Sequence, residues 1–270
     1  MKAIIIGGGS IGQRHSINLN NLGVSTRIVD IDEIQNIDNI LKNNFDLGLI
    51  CTPNINHIEH CLKLAEHNLP IFCEKPFYTN TKEISTLLTI IKEKKLITMV
   101  GCNLRFTPEI NQINSDSKYI NVYFGYDLKK WRPKTNHLDS YSANKHLGGG
   151  ILLDAIHELD YLYFKFGNIK NVSYIKNKLT NITNDVEDIV IGRIEFENDT
   201  IADFTLNYLS EEYQRYYDVL ENGVLKRTNL ELDNQMYIEE IKYFIDHVKN
   251  NTPCMNSFEE AHILLNHIIQ

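Results

Sequence analysis

The sequence predicts an α/β protein, with a doubly wound parallel sheet first and then an α+β part on an open, mostly antiparallel sheet. Three observations predict it. Short apolar runs alternate with stretches of helical periodicity over the first hundred residues, the pattern of parallel strands joined by crossover helices. A glycine-rich turn, Gly7-Gly8-Gly9-Ser10-Ile11-Gly12, follows the first apolar run and opens a helical stretch. After about Leu104, β-rich runs succeed one another with little helix between them.

The strands expected in the first part are Lys2–Ile6, Ser25–Val29, Leu47–Cys51, Pro70–Cys73 and Ile97–Gly101. Each is a short apolar run, as a strand buried on both faces requires. Gln13–Leu22, His57–Glu66 and Lys82–Lys92 carry apolar residues at helical spacing. In the second part, Tyr119–Phe124, Val186–Phe196 and Thr200–Tyr208 read as strands. Ile151–Tyr163, Met236–Lys249 and Phe258–Ile269 read as helices. The expected domains are residues 1–106 and 107–270.

Hydrophobic residues make up 43% of the 270 and charged residues 23%, the balance of a soluble globular chain. The net charge of -8 argues against nucleic acid or an anionic membrane as partner, since both attract basic patches. It leaves room for a local basic pocket. No apolar run reaches the roughly 18 residues of a membrane span. The N-terminal run breaks at Gly7, too early for a signal peptide, and reads as a first strand. The five cysteines are odd in number and scattered, which suggests neither a disulfide framework nor a metal site. Reduced thiols in a cytoplasmic protein are expected.

The glycine turn has the G-x-G-x-x-G spacing between strand and helix. Gly7, Gly9 and Gly12 allow a tight turn and close approach of a pyrophosphate, and Ser10 and Ile11 lie at the helix N-terminus, whose N–H groups and dipole favour an anion. Asp30 ends the second strand 18 residues after Gly12, where an acid can bind ribose hydroxyls. A carboxylate there would repel a 2′-phosphate, and Ile31-Asp32 supplies no basic group to hold one. The expected cofactor is NAD(H), preferred over NADP(H), in a dinucleotide-binding (Rossmann) domain.

In doubly wound sheets, ligands lie at the carboxyl ends of the strands. There the sequence places Thr52, Asn54 and His57, then Glu74 and Lys75, then Arg105. The plain alternative is that polar loops simply begin where strands end. On Ile151–Tyr163, Leu152, Ala155, Ile156 and Leu159 form an apolar stripe, and Asp154, His157, Glu158 and Tyr161 fall opposite. Asp154 and His157 are one turn apart and can act on one small molecule. From spacing alone, a solvated helix face is the better explanation.

Together these residues resemble the Gfo/Idh/MocA family, the glucose–fructose oxidoreductases, inositol dehydrogenases and their relatives. The resemblance runs through the glycine turn, Thr52-Pro53-Asn54 with His57, Glu74-Lys75-Pro76, and Gly149-Gly150 followed by Asp154 and His157. It implies Lys75, Asp154 and His157 as the catalytic group. It also implies an open-sheet second domain used for dimer or tetramer contacts. Trp131-Arg132-Pro133 and Tyr141-Ser142-Ala143 are similar to members found with bacterial surface-sugar biosynthesis. The expected activity is hydride transfer to or from a sugar, polyol or nucleotide sugar. His157 would move the proton, its unperturbed pKa being about 6.5. Arg105, Trp131, Arg132 and Tyr141 are candidate substrate contacts, and the two arginines could meet a diphosphate. Two alternatives stay open: an NAD-retaining lyase or epimerase on the same scaffold, and a non-catalytic NAD-binding regulator.

Overall fold

The computed structural model describes residues 1–131, 133 and 136–269. The chain forms two compact units. Unit 1 holds residues 1–103 and 234–263, and unit 2 holds residues 104–233 and those from Leu264 on.

Unit 1 is built on β1 (Lys2–Ile6), α1 (Ser10–Asn21), β2 (Ser25–Val29), the short α2 (Ile37–Ile40), β3 (Leu47–Ile50), α3 (His57–Glu66), β4 (Ile71–Glu74), α4 (Ile84–Lys94) and β5 (Thr98–Gly101). The strands lie in the order β2-β1-β3-β4-β5 and every pair is parallel. Their carboxyl ends therefore share one edge, which is where such sheets gather ligand-facing loops. Ile4, Ile5, Ile6, Leu49, Ile50, Ile71 and Phe72 have no exposed surface, so these strands are apolar without alternation. The outer edge, β5, is covered rather than left open. Val100 donates its N–H to the Asn256 carbonyl at 2.8 Å, and the Asn256 side-chain amide returns a bond to the Val100 carbonyl. Covering an edge removes a template for wrong strand pairing.

The expected boundary at 106 falls at 103/104, but residues 234–263 depart from the expected split. They carry α9 (Gln235–Asn250), which packs in unit 1. Its Phe244 meets Phe72 of β4 edge to face at 5.7 Å, and its Tyr237 ring lies 6.3 Å from His15 of α1. Periodicity shows that a helix has an apolar face; it does not show which sheet that face will cover.

Unit 2 contains α5 (Pro108–Asn111), β6 (Tyr119–Gly125), α6 (Leu128–Trp131), α7 (Ile151–Asp154), α8 (Ile156–Phe166), β7 (Ile169–Asn177), β8 (Ile189–Phe196), β9 (Ile201–Asn207), β10 (Gln214–Glu221) and β11 (Val224–Asn229). The last helix, α10 (Phe258–Ile268), spans the boundary between the units. The second sheet runs β11-β10-β6-β9-β8-β7, antiparallel except for the parallel pair β6–β9. One face is apolar: Phe166 of α8 packs on Phe196 with ring centroids 5.5 Å apart, and Val122, Ile194 and Leu206 are buried. The other face is a ladder of directly paired polar and aromatic residues. Arg193 binds Asp203 in two bonds of 2.6 and 3.0 Å, Arg227 binds Asp218 in two of 2.8 Å, and Tyr123 stacks on Tyr216. The arginine hydrogen bonds hold the Asp203 and Asp218 carboxyls below the usual range. The face also carries exposed apolar pairs, Ile175 with Ile191 and Leu220 with Leu225.

The helix expected over Ile151–Tyr163 breaks at Ala155 into α7 and α8. Of the expected polar stripe, Asp154, Glu158 and Tyr161 are each 2% exposed or less while His157 is half-buried, and the neighbouring Asp160 is buried as well. Burying carboxylates is tolerable only with partners. Asp160 has Arg105, whose Nε and Nη2 donate to its two oxygens at 2.7 and 2.8 Å. Glu158 has Arg215, with Nε 2.7 Å from Oε1. Asp160→Ala is expected to lower stability by about 3–5 kcal/mol in urea unfolding, because it strands a buried guanidinium. Arg105→Met combined with Asp160→Leu should recover most of that loss.

Candidate functional site

The edge formed by the strand ends of unit 1 is built around the glycine turn. Gly7 adopts φ +107°, and a Cβ there would lie 2.5 Å from the Cys51 carbonyl oxygen. A Cβ at Gly12 would collide with the carbonyl oxygen of Gly7. Only glycine lets α1 begin this close to β1 and β3. At Gly9, the N-cap of α1, a Cβ would meet nothing within 4 Å. No side chain caps this helix and no acid lies in its first turn, so the N–H groups of its opening residues, Ser10 and Ile11 included, meet no capping side chain. Asp30 stands just beyond β2, with its Oδ1 accepting from the Ile31 N–H at 2.9 Å. Its carboxylate occupies the room that a side chain at Gly8 would need, 2.5 Å from the Cβ position. A glycine cradle, an uncapped helix start and an adjacent carboxylate fit the pyrophosphate and ribose of a dinucleotide.

Thr52, Asn54 and His57 follow β3, and Glu74 and Lys75 close β4 and lead out of it. The Thr52 hydroxyl lies 3.0 Å from His60 Nδ1, and Asn54 is 7% exposed. His57 has no exposed surface. Its Nδ1 lies 2.8 Å from the Pro76 carbonyl and its Nε2 3.0 Å from the Thr52 carbonyl. Burial lowers its pKa, so the ring is neutral and donates its single proton to one of the two carbonyls. Glu74 Oε1 lies 2.6 Å from Nε2 of His15, a residue of α1 with no exposed surface. Lys75 is half-buried, and the Lys75–Pro76 bond is cis.

In unit 2, the buried Asp154 carboxylate accepts from three hydroxyls: Tyr141 at 2.7 Å, Ser142 at 2.6 Å and Tyr208 at 2.8 Å. His157 is the second residue of the next helix, α8, and is half-buried. Trp131 packs edge to face on Phe124 at 5.4 Å and on Tyr208 at 6.1 Å.

Comparison with known proteins now decides the family. The oxidoreductase model of the GFO/IDH/MocA family, with its NAD-binding Rossmann fold, matches residues 25–102. The family's C-terminal domain matches residues 118–226, so the two together cover more than half of the chain. The chain belongs to the GFO/IDH/MocA family. It is 24% identical over 145 residues to a 2,7-anhydro-N-acetylneuraminate hydratase of Mediterraneibacter gnavus, covering 52% of this chain and 39% of the relative. It is 28% identical over 139 residues to an inositol 2-dehydrogenase of Rhizobium meliloti, covering 50% and 41%. The chain thus matches less than half the length of these two curated relatives. The crystal structure of GenD2 from gentamicin A biosynthesis, in complex with NAD, superposes with a TM-score of 0.83 at 18% identity, over 99% of this chain and 92% of that one.

Several expected site residues stand differently in this GFO/IDH/MocA chain. Arg105 is not a solvent-facing substrate contact: it is 3% exposed and bound in two bonds by Asp160. His57 faces two main-chain carbonyls and has no surface to offer a cofactor. Glu74 is turned to His15. Arg132 lies outside the described residues. The sequence reading missed His15, Ser142, Tyr208 and Arg215. His15 carried a signal, since it lies three residues after Gly12 on the same helix face. The others bind partners more than ten residues away, and no local pattern marks them.

Alanine at Gly12 is expected to cost about 1–3 kcal/mol, the range for forced overpacking, because its Cβ meets backbone that cannot move aside. Alanine at Gly8 meets only the end of the Asp30 side chain and should stay within about 0.5 kcal/mol of wild type. Thermal and urea melts of the two variants compare them directly.

Proposed function

We propose that the chain is an NAD(H)-dependent oxidoreductase acting on the alcohol or ketone of a sugar, polyol or nucleotide sugar. The observation that carries this reading is the uncapped start of α1 above open space at Gly9, with the Asp30 carboxylate set against Gly8. When bound, NAD supplies the hydride acceptor and NADH the donor. Gly9, Ser10 and Ile11 present main-chain N–H groups to the pyrophosphate, and Asp30 accepts from the ribose hydroxyls. The same carboxylate disfavours a 2′-phosphate. Arg27, the nearest arginine in sequence, is paired with Glu33 at 3.1 Å. Thr52 and Asn54 line the nicotinamide side. Lys75 polarises the substrate oxygen, and His157 takes or returns its proton. Asp154 holds the hydroxyl of Tyr141, which with Trp131 contacts the sugar.

The reading further places the protein in the cytoplasm as a dimer or tetramer, which light scattering tests against the 31.3 kDa of one chain. Among the described residues no helix is long and apolar enough to cross a membrane. A second reading, favoured by the relative named a hydratase, is a reaction with no net redox change in which NAD stays bound. Cofactor that co-purifies and is not consumed during turnover would select it.

NADH is expected to bind at least about tenfold more tightly than NADPH, a difference of about 1.4 kcal/mol, and Asp30→Ala should narrow that gap. Titration of cofactor fluorescence measures both, and equal affinities in the wild type would sink the cofactor choice. Lys75→Ala and His157→Ala should keep NADH binding and melting temperature while losing about 10²–10⁴-fold in turnover, read as NADH oxidation with a panel of keto sugars. Unchanged turnover in both variants would remove the catalytic assignment.

A further inference from the structure

We propose that His15 and His57 are a pair of positioning residues that hold Lys75 from the two sides of its own chain. The proposal rests on Lys75 acting beside the bound cofactor. Lys75 is preceded by Glu74 and followed by Pro76, and each neighbour is held by a different buried imidazole. His15 Nε2 lies 2.6 Å from the Glu74 carboxylate, and His57 Nδ1 lies 2.8 Å from the Pro76 carbonyl. The two rings come from different elements. His15 is on α1, and His57 opens α3. Neither imidazole has exposed surface.

Two further observations indicate positioning rather than packing alone. The His15 ring is fixed between Phe72 at 5.2 Å and Tyr237 at 6.3 Å, and among the described residues its buried Nδ1 has no hydrogen-bond partner. Among the described residues, the one polar contact of this ring is with Glu74. His57 spans two loops at once, since its Nε2 lies 3.0 Å from the Thr52 carbonyl. With one proton on the ring only one of these two contacts is a hydrogen bond at a time, so the imidazole sits as a rigid spacer between the loop of Thr52 and Asn54 and the loop of Lys75. A flexible four-carbon amine gains most from such anchoring of its main chain, because a shift of about 1 Å at a reacting group can cost about 10²-fold in rate.

The test reads the place of Lys75 without needing the substrate. Lysines of the full chain are acetylated with succinimidyl acetate, and the rate at Lys75 is followed by peptide mass spectrometry with the other lysines as internal standards. NADH is the probe, added at about ten times the dissociation constant measured for each variant, so occupancy is equal throughout and about tenfold protection is expected in wild type. His15→Phe keeps the ring packing and removes the donor. His57→Leu removes both polar contacts. Each should bind NADH and yet protect Lys75 less than about threefold, well short of what equal occupancy predicts. His57→Asn, whose amide can occupy the place of Nδ1, should restore protection. His15→Phe leaves the Glu74 carboxylate without its imidazole and should melt somewhat lower than wild type, so protection is read well below both melting temperatures, which separates lost positioning from lost stability. Full protection in both His15→Phe and His57→Leu would overturn the proposal and leave the cofactor reading standing. Should His57→Leu fail to fold, full protection in His15→Phe alone overturns the pairing. No protection of Lys75 in the wild type, with NADH bound, would overturn the placement of Lys75 beside the cofactor and this proposal with it.

Discussion

The contact between Gly12 and the carbonyl of Gly7 is the constraint from which unit 1 follows. A helix that starts against the end of β1 has its first N–H groups at the edge where all five strand ends gather. The same contact fixes the helix axis over the sheet. One turn further on, that axis brings His15 onto Glu74 at the end of β4. A single methyl group at position 12 would move the start of α1, its N–H groups and the imidazole together. The turn is therefore as much a setting for His15 as a cradle for an anion.

Unit 1 was legible because its information is local. Its five strands are continuous apolar runs, and the helices read between them carry the 3.6-residue period, so the expected and observed ends of these elements differ by at most three residues. Unit 2 was half legible. The runs forming β6, β8 and β9 stand out, whereas β7, β10 and β11 do not. Their sequences, such as Gln-Arg-Tyr-Tyr-Asp and Val-Leu-Lys-Arg-Thr-Asn, carry polar residues on a face that the ladder of Arg193–Asp203 and Arg227–Asp218 satisfies across strands. A cross-strand partner lies at no fixed sequence spacing, and pattern reading cannot supply it.

The same reason explains where the site was misread. Asp154, Glu158 and Asp160 look like the wet face of a helix because carboxylates mostly are. Glu158 and Asp160 are bound by Arg215 and Arg105, and Asp154 by Tyr208 besides Tyr141 and Ser142; Tyr208, Arg215 and Arg105 each lie more than fifty residues away in sequence. Once these pairs close, the helix face that bears them is interior, and Arg105 with it. The glycine turn and Asp30 were readable for the opposite reason: their chemistry needs backbone shape at a fixed offset, and a linear sequence records offsets.

The return of α9 to unit 1 has a consequence for how the chain is made. Residues 1–103 contain every strand of the first sheet, yet the face that bears Phe72 and His15 is completed by Phe244 and Tyr237, which leave the ribosome more than a hundred residues later. During synthesis the early sheet must wait with that face unsealed while residues 104–233 of unit 2 emerge and have time to collapse. Aggregation of the nascent chain would then begin at this one helix-sized vacancy, and cutting the gene at the end of β5 would release a protein fixed in that waiting state.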